Sequence, residues 1–127
     1  MLSVLFVDDD PEILNAYRRV YFGRMEVATA TEGQEALRMM AERPFDVVVA
    51  DLLMPGMDGL ILLSRTREAL PGAGRILLTA YVQARDGDAA VRSGLAHKVM
   101  TKPCLPDSLE AAIVECGRIA GQGSRVG

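Results

Sequence analysis

A short apolar run that ends in an acidic residue constrains the fold of this chain most strongly. Residues 47–50 are three β-branched valines and an alanine, and Asp51 follows directly. Such a run is typical of a strand that is buried on both faces of a parallel sheet. Pro55 and Gly56 then prevent the strand from continuing, and Asp58 can cap a helix that begins at the next residue. Asp51 is therefore expected at the carboxyl end of a central strand, where open α/β sheets bind their ligands.

Strand patterns and helical patterns alternate five times along the chain. The predicted strands cover residues 2–7, 25–29, 47–51, 75–79 and 96–100. The predicted helices cover residues 11–21, 32–42, 59–70, 84–93 and 106–119. This alternation predicts one α/β domain with a five-stranded parallel sheet. We expect the domain to occupy residues 1–120 and the glycine-rich residues 121–127 to form a flexible tail or linker.

Local signals support the first two helices. Asp10 precedes Pro11, so Asp10 is predicted to cap helix one while proline takes the first helical position. Thr31 is followed three residues later by Gln34, which predicts a capping box at the start of helix two.

Composition excludes several classes of function. The chain has 127 residues, 24% of them charged, and a net charge of −3, so we expect no direct nucleic-acid partner. No apolar run approaches the length of a membrane span, and no membrane partner is expected. Cys104 and Cys116 lack metal-ligand spacing and predict reduced thiols in the cytoplasm. The single histidine, His97, cannot anchor a histidine-rich metal site.

Chemically useful side chains follow four of the predicted strands. Strand one ends in three consecutive acids, residues 8–10, and strand three ends in Asp51. Strand four ends in Thr79, and Lys102 follows strand five. Taken singly, each of these could be a helix cap or a solvated turn residue. Because the carboxyl ends of parallel strands lie at one edge of the sheet, we expect the groups to converge there.

The converging groups suit phosphoryl chemistry. Clustered carboxylates without cysteine or histidine select a hard cation, Mg²⁺ or Mn²⁺. Asp51 can then attack phosphorus as a nucleophile and form an acyl phosphate. Thr79 and Lys102 can supply the hydroxyl and the cation that the phosphoryl oxygens need.

The order and spacing of four motifs resemble the receiver domain of two-component response regulators over residues 2–118. The matching segments are residues 7–11 (VDDDP), 51–59 (DLLMPGMDG), 78–80 (LTA) and 101–103 (TKP). The resemblance implies a flavodoxin-like fold with strand order 2-1-3-4-5. Five helices would then cover the two faces of the sheet.

The resemblance also implies a role for each site residue. Asp51 would be the phosphoacceptor, Thr79 the switch hydroxyl, and Lys102 the lysine that pairs with the phosphoryl group. The metal ligands would be Asp8, Asp9, Asp51 and the main-chain carbonyl of Leu53, with Asp9 binding directly and Asp8 through water. The Lys102-Pro103 bond would be cis.

The switch is expected to depart from the family pattern. Family members usually carry Tyr or Phe three residues before the lysine, where this chain has Val99. Tyr81 follows Thr79 by two residues and is a second aromatic candidate. Since Leu53 and Tyr81 are bulky and cannot orient a water, the phosphorylated state is expected to be long-lived, with slow autodephosphorylation.

The leading prediction is a phosphorylation-controlled signalling module rather than an enzyme. Its partners would be a histidine kinase or histidine phosphotransfer protein and a downstream effector or output domain. Helix four, strand five and helix five would form the output surface and are a candidate homodimer interface. The alternatives are an aspartyl-nucleophile phosphohydrolase, a flavodoxin-like cofactor binder, and a docking module that has lost phosphorylation. The phosphohydrolase is disfavoured because Leu53 stands where its general acid would be.

Overall fold

Five parallel strands form one sheet in the order β2-β1-β3-β4-β5, as the resemblance implies. The computed structural model describes the backbone of residues 1–80 and 84–126, and the side chains of residues 1–80 and 87–118. The strands are β1 (Ser3–Val7), β2 (Glu26–Ala30), β3 (Val47–Asp51), β4 (Gly74–Thr79) and β5 (Lys98–Thr101). The helices are α1 (Pro11–Val20), α2 (Gly33–Glu42), α3 (Gly59–Ala69), α4 (Ala84–Arg92) and α5 (Pro106–Val126).

The helices cover the two faces of the sheet, because alternate residues of each strand point to opposite sides. Leu5 and Val48 point to the face packed by α2, α3 and α4. Phe6 and Val49 point to the other face, which α1 and α5 pack. All five residues of β3 are buried, which confirms the prediction of a strand enclosed on both faces.

The structure corrects the predicted start of α2. The cap position is Glu32, which makes no side-chain cap hydrogen bond, so the predicted capping by Thr31 is wrong. Instead, the Thr31 main-chain N–H and the Glu35 carboxylate are joined by a 2.7 Å hydrogen bond. Glu35 therefore takes the role that Gln34 was expected to fill, because its side chain reaches back from the first turn to the exposed N–H.

The structure also extends the last helix. α5 continues to Val126, so the predicted end of this helix at residue 119 is wrong, and residues 121–126 are helical where a tail or linker was expected. Gly121 and Gly123 weaken a helix by about 1 kcal/mol each relative to alanine, but they lack the steric block of proline. An established helix can therefore continue through them. β3 has the predicted bounds, and the bounds of the remaining elements differ from the predicted ones by one or two residues.

Candidate functional site

Strand register brings the predicted site residues to one edge of the sheet. Val7, directly before Asp8, pairs with Ala50, directly before Asp51. Thr79, the last residue of β4, pairs with Thr101, directly before Lys102. The order of the strands places β1 and β4 on either side of β3. Asp51 therefore lies at the centre of this edge, with the other groups on its two sides.

Three carboxylates meet at this edge. One oxygen from each of Asp8, Asp9 and Asp51 lies within 4.8 Å of the others. Asp8 is 2% exposed and Asp51 is 9% exposed, whereas Asp9 is open to solvent. The donor set consists of carboxylate oxygens alone, which fits a hard divalent cation such as Mg²⁺ or Mn²⁺.

The Lys102 ammonium joins two of these carboxylates. Its Nζ atom lies 3.2 Å from Asp8 Oδ2 and 3.3 Å from Asp51 Oδ1. Burial lowers the pKa of Lys102, but the two carboxylates outweigh burial and leave that pKa raised. Burial raises the pKa of Asp51, with a further contribution from Asp8, and Lys102 opposes this shift. The lysine therefore holds a positive charge against the Asp51 carboxylate.

The acids that follow β1 have separate local roles. Asp8 Oδ1 accepts a 2.9 Å hydrogen bond from the Asp10 main-chain N–H. Asp10 Oδ1 in turn accepts a 3.0 Å hydrogen bond from the Glu12 main-chain N–H at the start of α1. The prediction that Asp10 caps helix one is confirmed. Asp8 is fixed by its hydrogen bond and its ion pair, and the side chain of Asp9 reaches solvent.

Thr79 directly follows Leu78, the residue of β4 that pairs with Asp51. Thr79 is 1% exposed, and its hydroxyl donates a 3.0 Å hydrogen bond to the Ala80 carbonyl. Leu53 follows Asp51 by two residues, and 60% of it is exposed. The Lys102-Pro103 peptide bond is cis, which confirms that expectation. Tyr81, the second aromatic candidate, lies outside the described residues.

A cavity of about 260 Å³ adjoins the site on the side of α1. Tyr17, Lys102 and Cys104 are among its lining residues. The Tyr17 ring stacks on Phe6 with 4.5 Å between centroids. Burial raises the pKa of the Tyr17 hydroxyl, and the charge of Asp8 raises it further. Nothing in the local sequence around Tyr17 indicated that this ring reaches the neighbourhood of the carboxylates.

Comparison with known proteins identifies one family. The family model described as "Response regulator receiver domain" matches residues 4–114. Transcriptional regulatory protein KdpE of Mycobacterium tuberculosis is 40% identical over 89% of this chain and 50% of its own length. Transcriptional regulatory protein GlrR of Escherichia coli strain K12 is 37% identical over 87% of this chain. The chain spans 25% of the length of GlrR, so most of that relative lies outside the match.

Solved structures agree with the family match. The response regulator receiver domain protein from Clostridium thermocellum superposes with a TM-score of 0.85 at 26% identity. That alignment covers 99% of this chain and 98% of the other. The fold is therefore the one that receiver domains share.

The described helices were compared with the length and hydropathy that a membrane span requires. Over the part of the chain that the structure describes, none is both long enough and apolar enough to cross a bilayer.

Proposed function

Because the chain belongs to the response regulator receiver family of two-component signalling, we propose that it accepts a phosphoryl group on Asp51 and thereby changes an output surface. One observation carries this proposal: the Asp51 carboxylate lies among Asp8, Asp9 and the Lys102 ammonium at the carboxyl edge of the sheet. The family match favours this signalling role over the phosphohydrolase, cofactor-binding and docking alternatives.

The proposed metal ligands are Asp8, Asp9, Asp51 and the main-chain carbonyl of Leu53. When bound, Mg²⁺ or Mn²⁺ would neutralise charge on the phosphoryl oxygens and on the clustered carboxylates. Asp8 and Asp51 are the buried members of this set, so they are held in place before any cation arrives. Asp9 is exposed and is the ligand that an arriving cation can reach first.

Transfer would proceed from a phosphohistidine on a histidine kinase or a histidine phosphotransfer protein. A bond forms between an Asp51 carboxylate oxygen and phosphorus, while the phosphorus–nitrogen bond of the donor breaks. The electron pair of the broken bond returns to the donor imidazole. Lys102 already lies 3.3 Å from Asp51 Oδ1, so its positive charge is placed to bind a phosphoryl oxygen there.

Thr79 would carry the change away from the site. Its hydroxyl donates to the neighbouring Ala80 carbonyl in this structure and would turn to a phosphoryl oxygen on Asp51. This would draw the end of β4 toward the phosphoryl group. Since Val99 is too small to act as a rotating aromatic, we propose that the change reaches α4, β5 and α5 by movement of the β4–α4 connection.

The family match is also the basis for the proposed output, the proposed type of activity and the proposed cellular compartment. The output would be a downstream effector or an attached domain, and the surface of α4, β5 and α5 is also the candidate homodimer interface. The site would catalyse its own phosphorylation and only slow dephosphorylation, so the domain is proposed as a signalling module and not as an enzyme. The two free cysteines are compatible with a reducing cytoplasm.

Intact-mass measurement after incubation with acetyl phosphate tests the proposal. We expect one phosphoryl adduct that requires Mg²⁺ and is absent from Asp51→Asn. Asp107→Asn is the matched control, because the Asp107 side chain is 94% exposed on α5 and should leave the adduct unchanged. An adduct that persists in Asp51→Asn, or that forms equally without a divalent cation, would contradict the proposal.

A further inference from the structure

Arg75 is a buried cation that the phosphorylation site does not use. It lies on β4, four residues before Thr79, and is 5% exposed. Its guanidinium donates hydrogen bonds from Nε to the Leu95 carbonyl at 2.8 Å and from Nη2 to the Gly94 carbonyl at 3.0 Å. The ion pairs found among the described side chains do not include Arg75. Its partners are carbonyl groups rather than a carboxylate.

The main chain of Arg75 binds the same connection between α4 and β5. Its N–H donates a 3.0 Å hydrogen bond to the His97 Nδ1 atom. Its carbonyl accepts a 2.8 Å hydrogen bond from the His97 main-chain N–H. Arg75 is thus bonded to Gly94, Leu95 and His97, which together we call the α4–β5 turn.

The α4–β5 turn is itself a helix cap. Gly94 has a φ of +78°, which favours glycine, and the Leu95 N–H donates a 2.9 Å hydrogen bond back to the Ala90 carbonyl. The carboxyl end of a helix carries partial negative charge, which compensates the buried guanidinium. Burial lowers the pKa of Arg75, and the nearby Arg67 lowers it further. The carbonyls of the turn therefore provide its electrostatic partner.

The middle and the carboxyl end of α4 are held differently. The middle of the helix lies directly against β5, since a Cβ atom placed on Gly87 would fall 2.6 Å from Val99 Cγ1. The carboxyl end is bonded to Arg75 through the α4–β5 turn. The four residue steps from Arg75 to Thr79 span about 13 Å of strand, and the nine residues of α4 span about 13 Å of helix. Arg75 and Thr79 are therefore separated along β4 by about the length of α4.

We propose that Arg75 is a positioning residue that fixes the carboxyl end of α4 on β4, so that movement at Thr79 turns α4 about Gly94. This rests on the proposed function for its input, because the movement begins when Asp51 is phosphorylated. Without the fixed end, a pull on the β4–α4 connection would shift or loosen the whole helix. With it, the same pull changes the angle between α4 and β5 and so reshapes the surface between them.

Hydrogen exchange with and without beryllofluoride, a phosphoryl mimic, tests the role of Arg75. Arg75→Met removes the guanidinium and keeps an apolar side chain of similar length. We expect amide protection in residues 87–96 to fall by about tenfold to a hundredfold in the free protein, as the loss of hydrogen bonds to a charged group predicts. We also expect beryllofluoride to protect residues around Asp51 as in the parent, while its effect on α4 is lost.

Two further variants separate this role from a purely structural one. Arg92→Gln removes an exposed charge from the last turn of α4 and should behave like the parent. Arg75→Lys keeps the charge with fewer donors and should retain part of the response, and it replaces Arg75→Met if that variant does not fold. The proposal would be overturned if α4 in the Arg75 variants exchanged its amide hydrogens as slowly as in the parent and if beryllofluoride changed that exchange as it does in the parent. Unchanged exchange around Asp51 in the parent would instead count against the proposed function.

Discussion

Replacing Asp9 with asparagine should stabilise the protein in the absence of a divalent cation. Asp9 is exposed, and one of its oxygens lies within 4.8 Å of oxygens of Asp8 and Asp51. Lys102 neutralises one of those two buried carboxylates, so one net negative charge faces Asp9. Asparagine keeps the size of the side chain and removes the repulsion. The same change should weaken Mg²⁺ binding, because it removes the accessible ligand.

The expected gain is modest. Two like charges 4.8 Å apart repel by about 1 kcal/mol when the dielectric constant is near that of water, which suits an exposed carboxylate. For a domain of 127 residues, this corresponds to a rise in Tm of about 3–5 °C. The gain should nearly vanish in 1 M salt, where the Debye length is about 3 Å.

Asp8→Asn is the matched comparison, because it removes the same charge from a different environment. Asp8 is 2% exposed, and the substitution weakens its 3.2 Å ion pair with Lys102. We therefore expect the Tm of Asp8→Asn to rise less than the Tm of Asp9→Asn, or to fall below the Tm of the parent. Thermal melts in a chelator at low and high salt, followed by Mg²⁺ titration, measure both effects. An Asp9→Asn variant that melts below the parent without metal would refute the repulsion argument.

Two further predictions concern the lifetime of the phosphorylated state and the pH dependence of stability. Leu53→Asn should shorten the lifetime of phosphorylated Asp51, because an amide at this position can orient a water molecule. Ile61→Asn, which changes an exposed residue of α3, is the control. If phosphorylated Leu53→Asn loses its phosphoryl group no faster than phosphorylated Ile61→Asn, the prediction is wrong. Burial lowers the pKa of His97, and the charge of Arg75 lowers it further. The folded state therefore binds fewer protons at this group than the unfolded state, and Tm should fall as the pH drops below about 6.5. In His97→Asn, the asparagine side chain can still accept the hydrogen bond from the Arg75 main-chain N–H, but it does not titrate. This variant should therefore show a smaller change of Tm with pH in this range. If Tm changes with pH as steeply as in the parent, His97 is not the source of the dependence.

The sequence predicted which edge of the sheet carries the candidate site, because the signals for that edge are local. The end of each strand is marked by the residue that follows its apolar run, and parallel strands bring those ends together. Asp51, Asp8 and Lys102 could therefore be grouped without knowledge of the helices. Their pairing is a consequence of strand register, which the apolar pattern specifies.

The features that the sequence did not predict depend on contacts between distant residues or on side-chain orientation. Arg75 appeared only as the first residue of an apolar strand, and its bonds to residues 94–97 require the completed sheet. The capping role of Glu35 depends on the reach of one side chain, which spacing alone assigned to Gln34. The hydrogen bond of the Thr79 hydroxyl to Ala80 is likewise a rotamer choice.

The central claim is that Asp51, among three neighbouring carboxylates, receives the phosphoryl group. Borohydride reduction converts an aspartyl phosphate to homoserine, and tandem mass spectrometry of the resulting peptides locates the modified residue. After reaction with a phosphorylated histidine kinase or acetyl phosphate in Mg²⁺, homoserine should appear at position 51 alone. Homoserine at position 8 or 9, or none in a protein whose intact mass shows the adduct, would contradict the account.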